Sequence, residues 1–155
     1  SRLLRNVLNN SEKKLVPLSE EIEQLSLYLR LEQLRIPFNF NLEVEQRISP
    51  DLIEIPGMLI QPFVENSVKH AIVPKGGGEV LISFKLTDDI LIIEIADNGP
   101  GISLNETDGF GIKAVSEELK LLSALYGKEI KLEIKNRKDE GEQSGCLIRL
   151  LIPVM

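Results

Sequence analysis

The sequence predicts an α+β fold, a two-layer sandwich in which a mixed, mostly antiparallel sheet is covered on one face by helices. Three observations carry this expectation. Stretches of period-two alternation are interleaved with stretches of helical period. Two alternating stretches, at 79–87 and 90–97, are separated only by Asp88-Asp89, which reads as a tight antiparallel hairpin. Two more, at 130–136 and 145–153, flank a charged loop at 138–142 and make a second hairpin. Hairpins interleaved with helices favour α+β over a doubly wound parallel sheet, whose strands are joined by crossovers.

Taken in order, residues 2–9 place Leu3, Leu4, Val7 and Leu8 at helical spacing before Asn9, Asn10 and Ser11 break the stripe. Ser19 is a plausible N-cap, with Glu20 and Glu21 in the first turn where the helix dipole favours acids. The helix it opens is expected to run to about 35 and stop before Pro37. It carries Ile22, Leu25 and Leu29 on one side and Leu27, Leu31 and Leu34 nearly opposite. The ordinary reading of a helix apolar on both sides is burial between layers. The alternative is one face docked on the domain and the other on a partner helix. Residues 38–46 alternate as a strand, and Pro50 and Pro56 frame the connection to a central helix expected over 57–73. Pro74-Lys75-Gly76-Gly77-Gly78 ends that helix. Residues 103–108 form a short polar loop expected to be mobile until a ligand holds it, and a last helix is expected over 110–126.

At 155 residues the chain suits one compact domain with a real core. Its 43% hydrophobic and 27% charged content is that of an ordinary globular protein, and no apolar run is long enough to span a bilayer. A net charge of -6 argues against a nucleic-acid surface, which relies on clustered Lys and Arg. It does not argue against one nucleotide. A single cysteine, Cys146, excludes an internal disulfide and fits a reducing compartment. The opening at Ser1-Arg2-Leu3-Leu4 looks like the middle of a helical pattern and suggests a fragment.

Chemistry concentrates in three stretches. Alternation puts Asp97 on the same strand face as Leu91, Ile93 and Ile95, so this carboxylate ends its strand at the crevice beneath the helices. An isolated charge there is costly and calls for a donor; the alternative is an aspartate that caps the turn at Gly99. Gly99 and Gly101 permit positive φ and a close approach of backbone to ligand. Gly109 and Gly111 stand where the next helix begins, with free N–H groups suited to phosphate. On the central helix, Asn66 occupies a position its propensity disfavours, and Asn66, Lys69 and His70 cluster at i, i+3 and i+4. The plain alternatives are a surface pair of Lys69 with Glu65 and an ordinary hydrogen-bonded helix residue at His70.

Together, Glu65-Asn66-x-x-Lys69-His70 and Asp97-Asn98-Gly99-Pro100-Gly101-Ile102, followed by Gly109-Phe110-Gly111-Ile112, resemble the GHKL group of ATP-binding domains. The likeness is strongest to the catalytic domain of LytS-like sensor histidine kinases, including the stretch from Val16-Pro17-Leu18-Ser19-Glu20-Glu21-Ile22 to Glu32-Gln33-Leu34-Arg35, which is similar to their interdomain linker. The resemblance implies a Bergerat-type sandwich and ATP with Mg²⁺. Asp97 would accept from the adenine amine, and Asn66 would supply an oxygen to the metal. Lys69 and His70 would lie toward the phosphates, so the implied catalytic group is Asn66, Lys69 and His70. Glu65, Gly99, Gly101, Ile102, Gly109, Phe110, Gly111, Ile112 and Cys146 complete the implied nucleotide site. Residues 1–36 would be a helical linker or remnant of the dimerisation and phosphoacceptor region, and 37–155 the catalytic domain.

ATP-hydrolysing relatives such as gyrase, MutL and the heat-shock chaperone activate water with a glutamate four residues before the box asparagine. Here that position is Pro62, which favours phosphoryl transfer to a side chain over hydrolysis. The implied acceptor is a histidine upstream of Ser1, because His70 lies in the nucleotide box. The implied partners are that acceptor domain, a response regulator and, in the full-length protein, a second copy, in the cytoplasmic part of a membrane-anchored bacterial protein. The competing class is an ATPase or chaperone-like module driven by hydrolysis. Two residues depart from the pattern: Ala114 where relatives commonly have Asn, and Cys146 where they commonly have Thr. A thiol is the weaker hydrogen-bonding group, so modest nucleotide affinity is expected, and a degenerate binding module is the third reading.

Overall fold

A computed structural model describes residues 15–101, 111–140 and 144–154. Strands β2 (Phe38–Val44), β4 (Gly78–Thr87), β5 (Ile90–Asp97), β7 (Cys146–Pro153) and β6 (Lys131–Asn136) form one sheet in that spatial order. β2 runs parallel to β4, and every other pairing is antiparallel. The sheet is therefore mixed and mostly antiparallel, as the hairpins predict. The β4–β5 turn places Asp88 and Asp89 at φ 49 and 64. Two successive positive φ values make a turn whose twist matches that of the flanking strands, and aspartate tolerates them better than most residues.

Alternation decides the core. Val80, Ile82 and Phe84 of β4, Leu91, Ile93 and Ile95 of β5, and Leu150 and Ile152 of β7 are buried on one face. They join one cluster with residues of three helices: α1 (Leu18–Gln33), α2 (residues 61–75) and α3 (Gly111–Tyr126). The opposite face is polar in its middle, where Arg149 bridges Glu94 at 2.6 Å and Glu133 at 2.8 Å across three strands.

α1 departs from the expectation of burial on both sides. Leu18, Leu25 and Leu29 are fully buried, but Leu27, Leu31 and Leu34 are 60%, 54% and 83% exposed. With one helical layer on the sheet, nothing among the described residues lies outside α1 to cover its second stripe. Ser19 is not the N-cap either: the helix starts at Leu18 after Pro17, and the Ser19 N–H is taken by the Pro50 carbonyl at 3.1 Å. A small ladder that the sequence does not suggest ties this entry down, pairing β1 (Leu15–Pro17) with β3 (Glu54–Pro56). Each strand is only three residues long, too short for alternation to register.

The central helix starts later than expected, at Gln61 and not 57, because residues 57–60 form a turn with Met58 at φ 62. It then changes pitch. Gln61–Ser67 is α-helical, Val68–Ile72 is a π turn in which the Val73 N–H reaches the Val68 carbonyl, and Val73–Lys75 closes it. Pro74 supplies the reason. It has no N–H to give the His70 carbonyl, and its ring crowds that oxygen, so the preceding turn widens by one residue. Gly76, at φ 75, caps the end.

Candidate functional site

The site is built where β5 ends against the widened turn of α2. Asp97 is buried, as its parity requires, with only 3% of its surface exposed. Its Oδ1 accepts the Gly99 N–H at 3.0 Å and the Cys146 N–H at 3.2 Å. Burial is the main influence on the carboxyl and pushes its pKa upward; the Gly99 and Cys146 N–H groups, the Arg137 charge and the Ser67 hydroxyl act against it. The turn-cap reading of Asp97 is thus realised. One oxygen caps the glycine turn and ties it to β7, which leaves the carboxylate's remaining acceptor capacity for a donor in the crevice.

Each glycine of this loop has its own reason. Gly101 sits at φ 88, where a side chain is strained. Gly99 is required by proximity: a Cβ there would lie 2.5 Å from the Ala71 Cβ and 2.9 Å from its Cα. The loop is thus seated directly on the π turn of α2. Asn98 fastens the loop from its other side: its Oδ1 accepts the Glu79 N–H at 2.8 Å, and its carbonyl accepts Lys75 Nζ at 3.0 Å.

On α2, Phe63, Val64, Val68 and Ile72 are buried while Asn66, Lys69 and His70 are exposed, and Ala71, next to His70, is the residue that meets Gly99. Glu65 accepts from Gln61 Nε2 at 3.0 Å, one turn back along the helix. Pro62 occupies the first turn, so no base stands four residues before Asn66. Cys146 is buried, in parity with Ile148, Leu150 and Ile152. Desolvation, with the charge of Asp97 behind it, pushes the thiol pKa up to about 12. It is an inert packing group whose backbone N–H, not its sulfur, holds Asp97. Gly111 and Ile112 open α3, whose helix also contains Ala114. Ile102, Gly109, Phe110 and the 103–108 loop lie outside the described residues.

Three residues missed in the sequence belong here. Ser67 is buried beside Asn66, and its hydroxyl opposes the upward push that burial gives the Asp97 carboxyl, a place its position next to the polar trio could have suggested. Arg137 donates from its guanidinium to the Asp97 carbonyl at 2.9 Å and lends its charge to the carboxylate. Gly145 runs so close to the Asp97 carbonyl that a Cβ would collide with it. Arg137 and Gly145 act through pairing of β7 with the loop after β6, which no local pattern reveals.

Residues 53–154 match the family described as histidine kinase-, DNA gyrase B- and HSP90-like ATPase, and residues 1–40 match a histidine kinase family. The chain is similar to the sensor protein LytS of Staphylococcus epidermidis, with 31% identity over 99% of this chain and 27% of that protein. It is also similar to the sensor histidine kinase/phosphatase LytS of Staphylococcus aureus, with 36% identity over 86% of this chain and 23% of that protein. It therefore spans well under half the length of these relatives. Among solved structures, histidine kinase ThkA in complex with response regulator protein TrrA superposes with a TM-score of 0.65 at 17% identity, covering 99% of this chain and 47% of that one. At that identity the likeness speaks for the fold. The family match reaches from the approach to β3 to the end of β7 and so takes in Asn66, Asp97 and Cys146: the chain belongs to the histidine kinase-, DNA gyrase B- and HSP90-like ATPase family, a family of ATP-binding domains.

Proposed function

We propose that the chain is the ATP-binding catalytic domain of a LytS-like sensor histidine kinase, passing the γ-phosphate of ATP to a histidine on an upstream helical domain. The observation that carries the choice of kinase over ATPase is Pro62, in the first turn of the helix that bears Asn66. A hydrolase needs a base there to activate water, and proline has none. Glu65 does not replace it: it lies about 100° around the helix from Asn66 and is engaged by Gln61.

In this reading Asp97 takes the adenine amine, the loop at Gly99 and Gly101 lets backbone approach the nucleotide, and Lys69 and His70 face the phosphates. The reading also assigns Glu65, Ile102, Gly109, Phe110, Gly111, Ile112 and Cys146 to the nucleotide. Mg²⁺ fits the donors present. Among the described residues no group of three or more His, Cys, Asp or Glu could hold a metal. The exposed amide oxygen of Asn66 is a single hard ligand, which suits a cation that keeps its waters and is shared with phosphates. That ion would neutralise the charge of the transferring group; the residues themselves bind, orient and leave water unactivated. Residues 1–36 are taken as linker to the dimerisation and phosphoacceptor region, and 37–155 as the catalytic domain. The partners proposed are that region, a second copy in the full-length protein and a response regulator, as ThkA is paired with TrrA. No helix among the described residues is long and apolar enough to cross a membrane; a cytoplasmic place beside a membrane anchor is part of the proposal.

The test is a division of labour. With Mg-ATP the chain should not label itself, and it should phosphorylate a separately supplied acceptor domain of its parent protein. Acid-labile phosphate on His70, or steady ATP hydrolysis by the chain alone, would overturn the proposal.

A further inference from the structure

Asp97 and the glycine loop after it are held from behind by the end of the β6–β7 hairpin. The Arg137 N–H donates to the Gly145 carbonyl at 2.8 Å, which carries the β6–β7 register one pair beyond Asn136 and Cys146. By parity with Glu133 and Lys135, the Arg137 side chain leaves this hairpin on the polar face of the sheet, opposite the crevice. It then lies across Gly145 toward β5. A Cβ on Gly145 would stand 3.0 Å from the Arg137 Cδ and would collide with the Asp97 carbonyl. Beyond Gly145, the guanidinium Nη1 donates to that same carbonyl at 2.9 Å. The next residue completes the hold, since the Cys146 N–H donates to the Asp97 Oδ1 at 3.2 Å. The far end of the loop rests on the same hairpin: a Cβ on Gly101 would lie 2.7 Å from the Asn136 Oδ1 and 3.3 Å from the Gly145 carbonyl.

This hold falls where the ladder gives out. β5 pairs with β7 only as far as Ala96, and Asp97 is the last residue of its strand. We propose that Arg137 is a positioning residue for adenine recognition: laid across Gly145, its guanidinium fixes the end of β5 so that the Asp97 carboxylate presents its second oxygen to the adenine amine. Arginine suits the task, because it is long enough to cross a neighbouring residue and a charged donor binds a carbonyl more strongly than a neutral one. Burial pushes the Asp97 carboxyl pKa upward, and the Arg137 charge acts against that push, which favours the ionised acceptor. Gly145 follows from the same arrangement, since a side chain there would part Arg137 from Asp97. The inference rests on the kinase-domain reading for the adenine, not for the contact with Asp97.

The test is calorimetry with ATP and GTP on the 155-residue chain. Arg137→Met keeps the apolar stem and removes both donor and charge. It should lower the affinity for ATP about threefold to tenfold, the order of coupling within one hydrogen-bonded network. The affinity for GTP should not change, because GTP offers Asp97 no amine. In the Asp97→Asn background the same substitution should cost no further preference for ATP. Arg137→Lys, which keeps a donor and the charge, should recover most of the preference. Equal losses for both nucleotides, or an equal loss of ATP affinity with and without the Asp97 carboxylate, would make Arg137 merely structural and overturn the proposal. Should Arg137→Met fail to fold, Arg137→Gln decides in the same way, since it shortens the side chain and removes the charge. Hydrogen exchange of the free protein reads the hold without nucleotide. In Arg137→Met, exchange quickened at the Gly99 and Cys146 amides more than across the rest of the sheet supports it, and unchanged rates at both overturn it. A wild type that binds no ATP, with those two amides still quickened in the variant, overturns the kinase reading and supports the hold on Asp97.

Discussion

Replacing Asp97 by asparagine separates its turn cap from the adenine contact proposed for it. The Oδ1 that caps Gly99 and receives the Cys146 N–H at 3.0 and 3.2 Å survives in the amide, so the turn and its tie to β7 keep an acceptor. The second oxygen becomes an NH₂ group and can no longer accept from an adenine amine. A hydrogen bond to a charged acceptor contributes roughly 1.5–3 kcal/mol, so ATP affinity should fall about tenfold to a hundredfold. Unliganded stability should stay level or rise, because burial is the largest influence on this carboxyl and opposes its ionised form. The sign follows. A folded pKa raised above the ordinary 3.8 means that the acid's stability relative to the amide is fully present below that value and is lost as pH rises through the folded pKa. The melting-temperature gain of Asp97→Asn should therefore grow with pH over that window and then level off. Asp97→Ala is the control: it strands two buried N–H groups and should cost about 1–3 kcal/mol for each without ligand. GTP presents a carbonyl where ATP presents an amine, so wild type should discriminate against GTP and Asp97→Asn much less. Calorimetry with both nucleotides, beside melting curves, decides the matter. An unchanged ATP-to-GTP preference together with a less stable free protein would refute adenine recognition and leave a turn cap.

Further expectations are sharper where a distance sets them. Asn66→Ala should weaken Mg-ATP far more than adenosine while folding is maintained, since Asn66 is exposed and Ala is the better helix former; equal losses in a titration would make Asn66 structural. Gly99→Ala puts a methyl 2.5 Å from the Ala71 Cβ and should destabilise by about 1–3 kcal/mol. Ala71→Gly in the same chain should recover part of that loss, and a double-mutant cycle showing strict additivity would count against the contact. Cys146, with its thiol pushed up to about 12, should resist alkylation at pH 8 in the folded state and react freely in denaturant; comparable rates in both would contradict its burial.

Local pattern alone reaches a long way in this protein. Alternation is a property of a strand's own residues, so it locates the hairpins at Asp88-Asp89 and after Asn136 and puts Asp97 on the covered face before any contact is known. The boxes around Asn66 and Asp97 are likewise contiguous stretches, legible because their chemistry is written at fixed spacing. What tertiary structure decided is everything set by chain segments meeting at a distance. The second leucine stripe of α1 is identical in sequence whether a further layer covers it or not, and only the number of layers shows that Leu27, Leu31 and Leu34 face outward. The π turn follows from Pro74, yet its use appears only when Ala71 is seen against Gly99. Arg137, Gly145 and Ser67 become part of the site through pairing and packing that bring them to Asp97. Glu21 reads in sequence as a first-turn acid at the surface of its own helix; in the fold it is turned inward and buried. The reason is common to all of these. Periodicity records which way a side chain points from its own element, and only the assembled fold determines what stands there to meet it.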